Sequence, residues 1–151
     1  MFRFEICDRD LLGRIGRLTT KNGTVETPVF LPVINPFKQA VTPRDLWNDY
    51  KCRMLVTNAY IIKKQLGEDI VEDVHLLLDF PGIIMTDSGA YQILVYGDIE
   101  ISPTEIVEYQ ERVDTDIATI LDWPTGWKAS RAYAEKTVNE TLRRARELFT
   151  V

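Results

Sequence analysis

Four short apolar runs, separated by helix-start signals, constrain the fold of this chain more than any other feature. The runs are residues 29–34, 54–58, 82–87 and 117–122. Helix starts at Thr42-Pro43 and Ser102-Pro103-Thr104-Glu105 stand between them, because a hydroxyl can cap a helix and proline suits its first position. Near-continuous apolar strands that alternate with helices predict parallel pairing with right-handed crossovers.

Two architectures satisfy this order, a doubly wound sheet and a barrel. A complete (β/α)₈ barrel needs ~200 residues or more, so 151 residues would supply about half of one. Residues 2–27 differ from the rest, because they alternate in polarity and carry the hairpin signal Asn22-Gly23. We predict an antiparallel hairpin or sheet there.

Composition places the chain among ordinary globular domains, with 45% hydrophobic and 27% charged residues. The sequence has neither an apolar run of ~20 residues nor a signal-peptide plan, so we expect a cytoplasmic protein without a membrane partner. Cys7 and Cys52 fit no metal spacing, and His75 is expected at a packed or surface helix position rather than as a ligand. The net charge of −5 disfavours nucleic-acid binding over the whole surface but leaves a local basic patch open.

Carboxylates follow two neighbouring strands of the predicted sheet. Asp87 opens an Asp-Ser-Gly sequence after the third run, and Asp122 closes the fourth. Adjacent parallel strands lie ~4.8 Å apart, so both carboxylates should lie in the same cleft at the C-terminal ends of the strands. Two acids in one cleft can divide roles, because burial and mutual repulsion separate their pKa values.

Aromatic residues near these strand ends have two possible roles. Tyr91, Tyr96 and Trp123 could stack on a planar heterocycle or pack in the core. For Trp127 we predict core packing.

Four motifs, taken together and in order, resemble the tRNA-guanine transglycosylases. They are Thr27–Val33, Thr57–Tyr60, Thr86–Gln92 and Leu121–Thr125. The opening Phe4-Glu5-Ile6 and the stretch Val95–Glu100 are most similar to the archaeal, archaeosine-forming branch. The resemblance covers essentially the whole chain.

The resemblance implies a fold and a reaction. The fold would be α/β, with an antiparallel sheet in residues 1–27 and the first half of a TIM barrel, about four parallel βα units, in residues 28–151. The reaction would exchange a guanine in the tRNA D-loop for 7-cyano-7-deazaguanine through a covalent ribosyl-enzyme intermediate. The partners implied are therefore tRNA and a guanine or 7-deazaguanine base.

The resemblance also assigns site residues. Asp87 corresponds to an acid/base group at the glycosidic bond, and Ser88 with its neighbouring backbone to a substrate-holding element. Tyr91 takes the place of the aromatic stacker, usually Phe, and Asn58 is expected to bind substrate. Asp122 should accept N–H donors from the base, because a carboxylate offers two acceptor atoms to a guanine-like edge.

Other functional groups of the family fall beyond residue 151 by this resemblance. They are the nucleophilic aspartate, a zinc site of three cysteines and a histidine, and an RNA-binding portion. We therefore expect no metal ligands here, and a chain that pairs with the remaining half of the enzyme or with itself. Apolar positions of a last helix, capped by Ser130, should form part of the contact surface with that partner. These positions are Leu142, Ala145 and Leu148.

Two alternatives stay open beside the transglycosylase. One is a non-catalytic paralogue that binds a base or docks on a true enzyme. The other is a related enzyme that inserts 7-deazaguanine bases into DNA or RNA.

Overall fold

A computed structural model describes residues 2–67, 73–92 and 101–148. The strands are β1 (Arg3–Asp10), β2 (Gly13–Thr20), β3 (Gly23–Thr27), β4 (Met54–Asn58), β5 (Ile83–Asp87) and β6 (Ile117–Ala118). The helices are α1 (Pro43–Asn48), α2 (Ala59–Leu66), α3 (Val74–Leu78), α4 (Pro103–Arg112) and α5 (Arg131–Leu148). Among the described residues, none of the helices is long and apolar enough to cross a membrane.

The N-terminal strands form an antiparallel sheet in the order β1-β2-β3, which confirms the predicted hairpin and adds a strand to it. Leu18 and Val25 of this sheet pack against Met54 and Ile83, the first residues of β4 and β5. The antiparallel sheet therefore lies against the N-terminal ends of the parallel strands and leaves their C-terminal ends available for a site.

The second sheet is parallel, in the order β4-β5-β6. On the edge of β4 that faces away from β5, a single parallel bridge between Val33 and Val56 adds the segment around Val33 to the sheet. The four predicted runs thus neighbour one another in chain order, with every pairing parallel as predicted. The main core lies between this sheet and the helices, around Leu55, Ile84 and Tyr109.

The first predicted strand, residues 29–34, is wrong in extent. Its only ladder hydrogen bonds in the described residues run from Ile34 N to Val56 O (2.8 Å) and from Val56 N to Pro32 O (3.0 Å). Pro28 and Pro32 have no N–H to donate, so the segment cannot extend the ladder toward its N-terminal side.

The fourth predicted strand, residues 117–122, is also too long, because β6 contains only Ile117 and Ala118. Beyond Ala118, side chains replace the strand partner. Gln110, buried in α4, accepts from Thr119 N (3.0 Å) and donates to Thr119 O (2.9 Å), as a neighbouring strand would. Every buried backbone group needs a partner, and this one is a side-chain amide.

The predicted helix caps are confirmed. Thr42 accepts from Asp45 N, and Ser102 forms a full capping box with Glu105. Ser130 accepts from Tyr133 N at 3.2 Å and begins α5.

The apolar positions of α5 are divided between its exposed and its buried face. Val138 and Leu142 are 55% and 47% exposed, whereas Ala145 and Leu148 are partly buried on the same side as Thr137, which is 1% exposed. This helix therefore contacts the rest of the chain partly through polar residues, which the periodicity of apolar residues could not indicate.

Candidate functional site

The C-terminal ends of β4 and β5 bring Asn58 and Asp87 side by side as a register pair. Asn58 Nδ2 donates to Asp87 Oδ2 over 2.9 Å. Asn58 Oδ1 accepts from Ile61 N, also at 2.9 Å, and so caps α2. The start of α2 therefore fixes the amide that holds the carboxylate.

Gln92 completes this group, although the sequence analysis gave it no role. Its Oε1 accepts from Asn58 Nδ2 at 3.3 Å, and its backbone N–H donates to Gly89 O at 3.0 Å. Gly89 has φ +95°, and a Cβ there would lie 2.5 Å from Tyr60 Cβ, so only glycine suits this turn. Both hydrogen bonds of the Asn58 amide nitrogen are made to side chains of the chain, and the substrate-binding role predicted for Asn58 stays a prediction.

The environment of Asp87 raises the pKa of its carboxyl above the ordinary value. Burial contributes most, and the negative charge of Asp122 acts in the same direction. Hydrogen bonds from Asn58 and from the N–H groups of Ser88 and Gly89 oppose the shift, because they stabilise the carboxylate. Asp87 therefore keeps a proton to higher pH than an exposed aspartate, and Asp122 lies close enough to influence it.

Ser88 ties the end of β5 to the loop that carries Asp122. Its hydroxyl donates to Ile120 O (2.8 Å), and its N–H donates to Thr119 Oγ1 (2.9 Å). The residue is 1% exposed. The Ser88 hydroxyl therefore has its partner within the chain, and the substrate-holding role predicted for Ser88 and its neighbouring backbone stays a prediction.

The predicted aromatic residues occupy different environments. Tyr91 follows Gly89 in a helical turn and is 66% exposed, and its stacking role stays a prediction. Trp123 is partly buried, and its indole N–H donates to Tyr133 Oη at 3.4 Å. The core packing predicted for Trp127 is wrong: the loop after Asp122 leaves this side chain fully exposed, at 105%. Tyr96 lies outside the described residues.

A cavity of about 440 Å³ lies next to this group of residues. It is lined by Asn35, Tyr60, Ile61, Lys64, Gln65 and Gln92. The polar ends of the first two parallel segments thus open onto the same side as Asp87. In the described parts of the chain, histidine, cysteine and acidic side chains form no group of three that could hold a metal ion.

Comparison with known proteins gives one consistent family. The family model for queuine tRNA-ribosyltransferases matches residues 8–151. A tRNA-guanine(15) transglycosylase of Sulfolobus acidocaldarius is 51% identical over 144 residues, which is 95% of this chain and 28% of that protein. The enzyme of the same name from Aeropyrum pernix is 52% identical over 145 residues, with the same coverage of 95% and 28%.

A third relative, the tRNA-guanine(15) transglycosylase of Thermococcus kodakarensis, is 48% identical over 149 residues, or 97% of this chain and 26% of that protein. The chain thus spans 26 to 28% of the length of these three curated relatives.

Proposed function

Because this chain belongs to the queuine tRNA-ribosyltransferase family, we propose that it supplies the base-recognition and acid/base residues of a tRNA-guanine(15) transglycosylase. The observation that carries the proposal is the raised pKa of Asp87 at the end of β5, to which the nearby carboxylate of Asp122, in the loop after β6, contributes. We also propose that the four parallel segments belong to a TIM barrel, whose sites lie at the C-terminal ends of its strands.

Asp87 would move the proton at the base. When the glycosidic C–N bond of guanine breaks, the departing base takes up a proton on its ring nitrogen, and an incoming base must lose one. A carboxyl with a raised pKa can give the first proton and accept the second, because its pKa lies nearer to the working pH. Asn58 and Gln92 would keep this carboxyl in place between the two steps.

Asp122 would recognise the base by accepting hydrogen bonds from it. Guanine and 7-deazaguanine bases share an edge with N1–H and N2–H₂ donors, and a carboxylate accepts from both. A site that binds this donor edge accepts both bases, as an exchange reaction requires. We propose 7-cyano-7-deazaguanine as the incoming base, on the similarity to archaeal relatives. Tyr91 would stack on the ring from its exposed position.

The nucleophile and the zinc site are proposed to lie in the part of the relatives that this chain does not match. Covalent exchange needs an aspartate that attacks the anomeric carbon as the base leaves, and Asp87 and Asp122 already have other roles. The cytoplasm, where tRNA is available, would be the compartment.

A chimeric enzyme tests the proposal. This chain would replace the matching segment of the Sulfolobus acidocaldarius relative, and incorporation of radiolabelled guanine into tRNA would be measured. Asp87→Asn should abolish exchange while tRNA affinity stays within about twofold. Asp49→Asn, an exposed aspartate at the end of α1, is the matched control and should leave exchange unchanged. Full exchange by the Asp87→Asn chimera would refute the acid/base role.

A partner surface is proposed at the edge beside β4. Phe30 and Val33 there are 82% and 78% exposed, and the segment forms only one bridge in the described residues. Exposed apolar side chains next to an open edge favour association, either with the remaining part of an enzyme or with a second copy. Sedimentation of the purified chain should show oligomers. A monomer at high concentration would contradict this.

A further inference from the structure

We propose that Arg144 and Thr141 of α5 are positioning residues that fix the carboxylate of Asp122 from both sides of its backbone. The inference rests on the proposed base-recognition role of Asp122 and extends it to a helix that has no residue in the site itself.

Arg144 holds the peptide that precedes Asp122. Its Nη1 donates to Leu121 O over 3.0 Å, and its Nε donates to Glu140 Oε1, also at 3.0 Å. The guanidinium lies 5.1 Å from the centre of the Trp123 ring. Its side chain is only 12% exposed, so these contacts are largely shielded from water. The guanidinium is a rigid planar group, so these three contacts leave it little freedom.

Thr141 holds the peptide that follows Asp122. Its Oγ1 accepts from Trp123 N at 2.9 Å and donates to Thr137 O at 3.0 Å. Thr137 Oγ1 lies 2.5 Å from Thr125 Oγ1, one step further along the same loop. Residues 137, 141 and 144 share one face of α5, because they are spaced by four and three positions. They are the polar residues of the face that α5 buries.

Together these bonds determine the direction in which Asp122 points. Strand pairing ends at Ala118, so no ladder partner orients the residues after it. Ser88 fixes Ile120, Arg144 fixes Leu121 and Thr141 fixes the N–H of residue 123. The peptides on either side of Asp122 are thus held by the last two of these bonds. A displacement of ~1 Å at a recognition group can reduce kcat/KM by about 10²-fold.

The variant Arg144→Met removes the hydrogen bond to Leu121 but keeps an unbranched chain along the same path. Arg143→Met is the matched control. Arg143 is the preceding residue, also binds Glu140, and is exposed. Both variants remove one positive charge and the ion pair with Glu140. Arg143→Met also removes an exposed ion pair with Glu147, whereas only Arg144→Met frees the Asp122 loop. Two quantities would be measured: the KM for guanine in the chimeric enzyme, and the pKa of Asp87 by ¹³C NMR titration of the chain.

We expect Arg144→Met to raise the KM for guanine about tenfold or more relative to Arg143→Met, with a smaller change in kcat. The pKa of Asp87 should fall toward its value in Asp122→Asn, because a displaced Asp122 repels it less. Arg144→Lys should restore part of both effects, since lysine can donate to Leu121 O. Equal KM and equal Asp87 pKa in the folded Met variants of Arg144 and Arg143 would overturn the inference.

If Arg144→Met does not fold by circular dichroism, Thr141→Val decides the question by the same two measurements. Thr141→Val keeps the side-chain shape and removes the acceptor of the Trp123 N–H. Wild-type values of both quantities in the folded Thr141→Val variant would overturn the inference. The NMR titration needs no substrate. If Asp122→Asn binds guanine normally, the proposed base-reading role fails, and the titration still shows whether α5 positions Asp122.

Discussion

Asn58 donates to Asp87 across the ends of two parallel strands, and its other amide atom caps the helix that begins at the next residue. One side chain therefore couples the start of α2 to the ionisation of the candidate acid/base. Its replacement should change stability and titration together.

Asn58→Ala should raise the pKa of Asp87 further, because the carboxylate loses a hydrogen bond that stabilises it. It should also reduce the free energy of unfolding by about 1 kcal/mol, the usual value of a helix N-cap. Asn48→Ala, at the exposed last residue of α1, is the control. ¹³C NMR titration and urea denaturation measure the two effects. A lower Asp87 pKa would contradict the assigned direction of the bond.

Asp122→Asn should move the pKa of Asp87 in the opposite direction. The negative charge of Asp122 raises that pKa, so its removal should lower it. The difference between wild type and variant should shrink at high salt, since ions screen the repulsion between partly exposed charges. An unchanged Asp87 pKa at low salt would mean that the two carboxylates do not interact.

The candidate site was largely predictable from sequence because its residues stand at strand ends. Apolar runs located β4 and β5, and parallel register then placed Asn58 beside Asp87. The loop that carries Asp122 was not predictable, because Gln110 and Arg144 replace a strand partner there and neither has a local signal. The exposure of Trp127 was missed because a tryptophan in a loop carries no local signal of whether its ring is packed or exposed.

Gln110→Leu tests the replacement of the strand partner. Leucine has a similar volume, but it leaves Thr119 N and Thr119 O without their side-chain partner, and the Thr86 hydroxyl with Thr115 alone. Each unsatisfied buried group costs about 1–3 kcal/mol, so the loss of unfolding free energy should exceed 2 kcal/mol, roughly. Gln65→Leu, on the exposed side of α2, should cost little. Equal urea midpoints for the two variants would show that Gln110 is not structurally required.

A largely buried ion pair joins α3 to the start of β6, and a residue of the N-terminal sheet binds to it. His75 Nε2 lies 3.2 Å from Asp116 Oδ2, and Asn22 in the β2–β3 turn donates to the same carboxylate at 3.2 Å and 3.3 Å. The Asp116 side chain is fully buried. Burial alone would raise its pKa, but hydrogen bonds from His75, Ile84 N–H, Thr20 and Asn22 lower the pKa of Asp116 to about 2.

The same pair gives His75 a raised pKa. Burial opposes protonation, whereas Asp116, the Phe80 carbonyl and the nearby Asp73 favour the imidazolium and outweigh it. A histidine with a raised folded-state pKa stabilises the fold fully below its unfolded pKa of about 6.5 and loses that contribution as pH rises through the folded value. Asp116 stabilises above its unfolded value of about 4 and loses its contribution as pH falls toward 2.

His75→Gln should therefore destabilise the chain most between about pH 4 and pH 6.5, where both partners are charged in the wild type. The difference in unfolding free energy should diminish as pH rises above that window, because the wild-type histidine then loses its proton. It should also diminish below the window, where Asp116 becomes protonated. Urea denaturation at several pH values measures this profile. A difference that is constant from pH 4 to pH 9 would show that glutamine loses only packing, and that the histidine carries no charge in the fold.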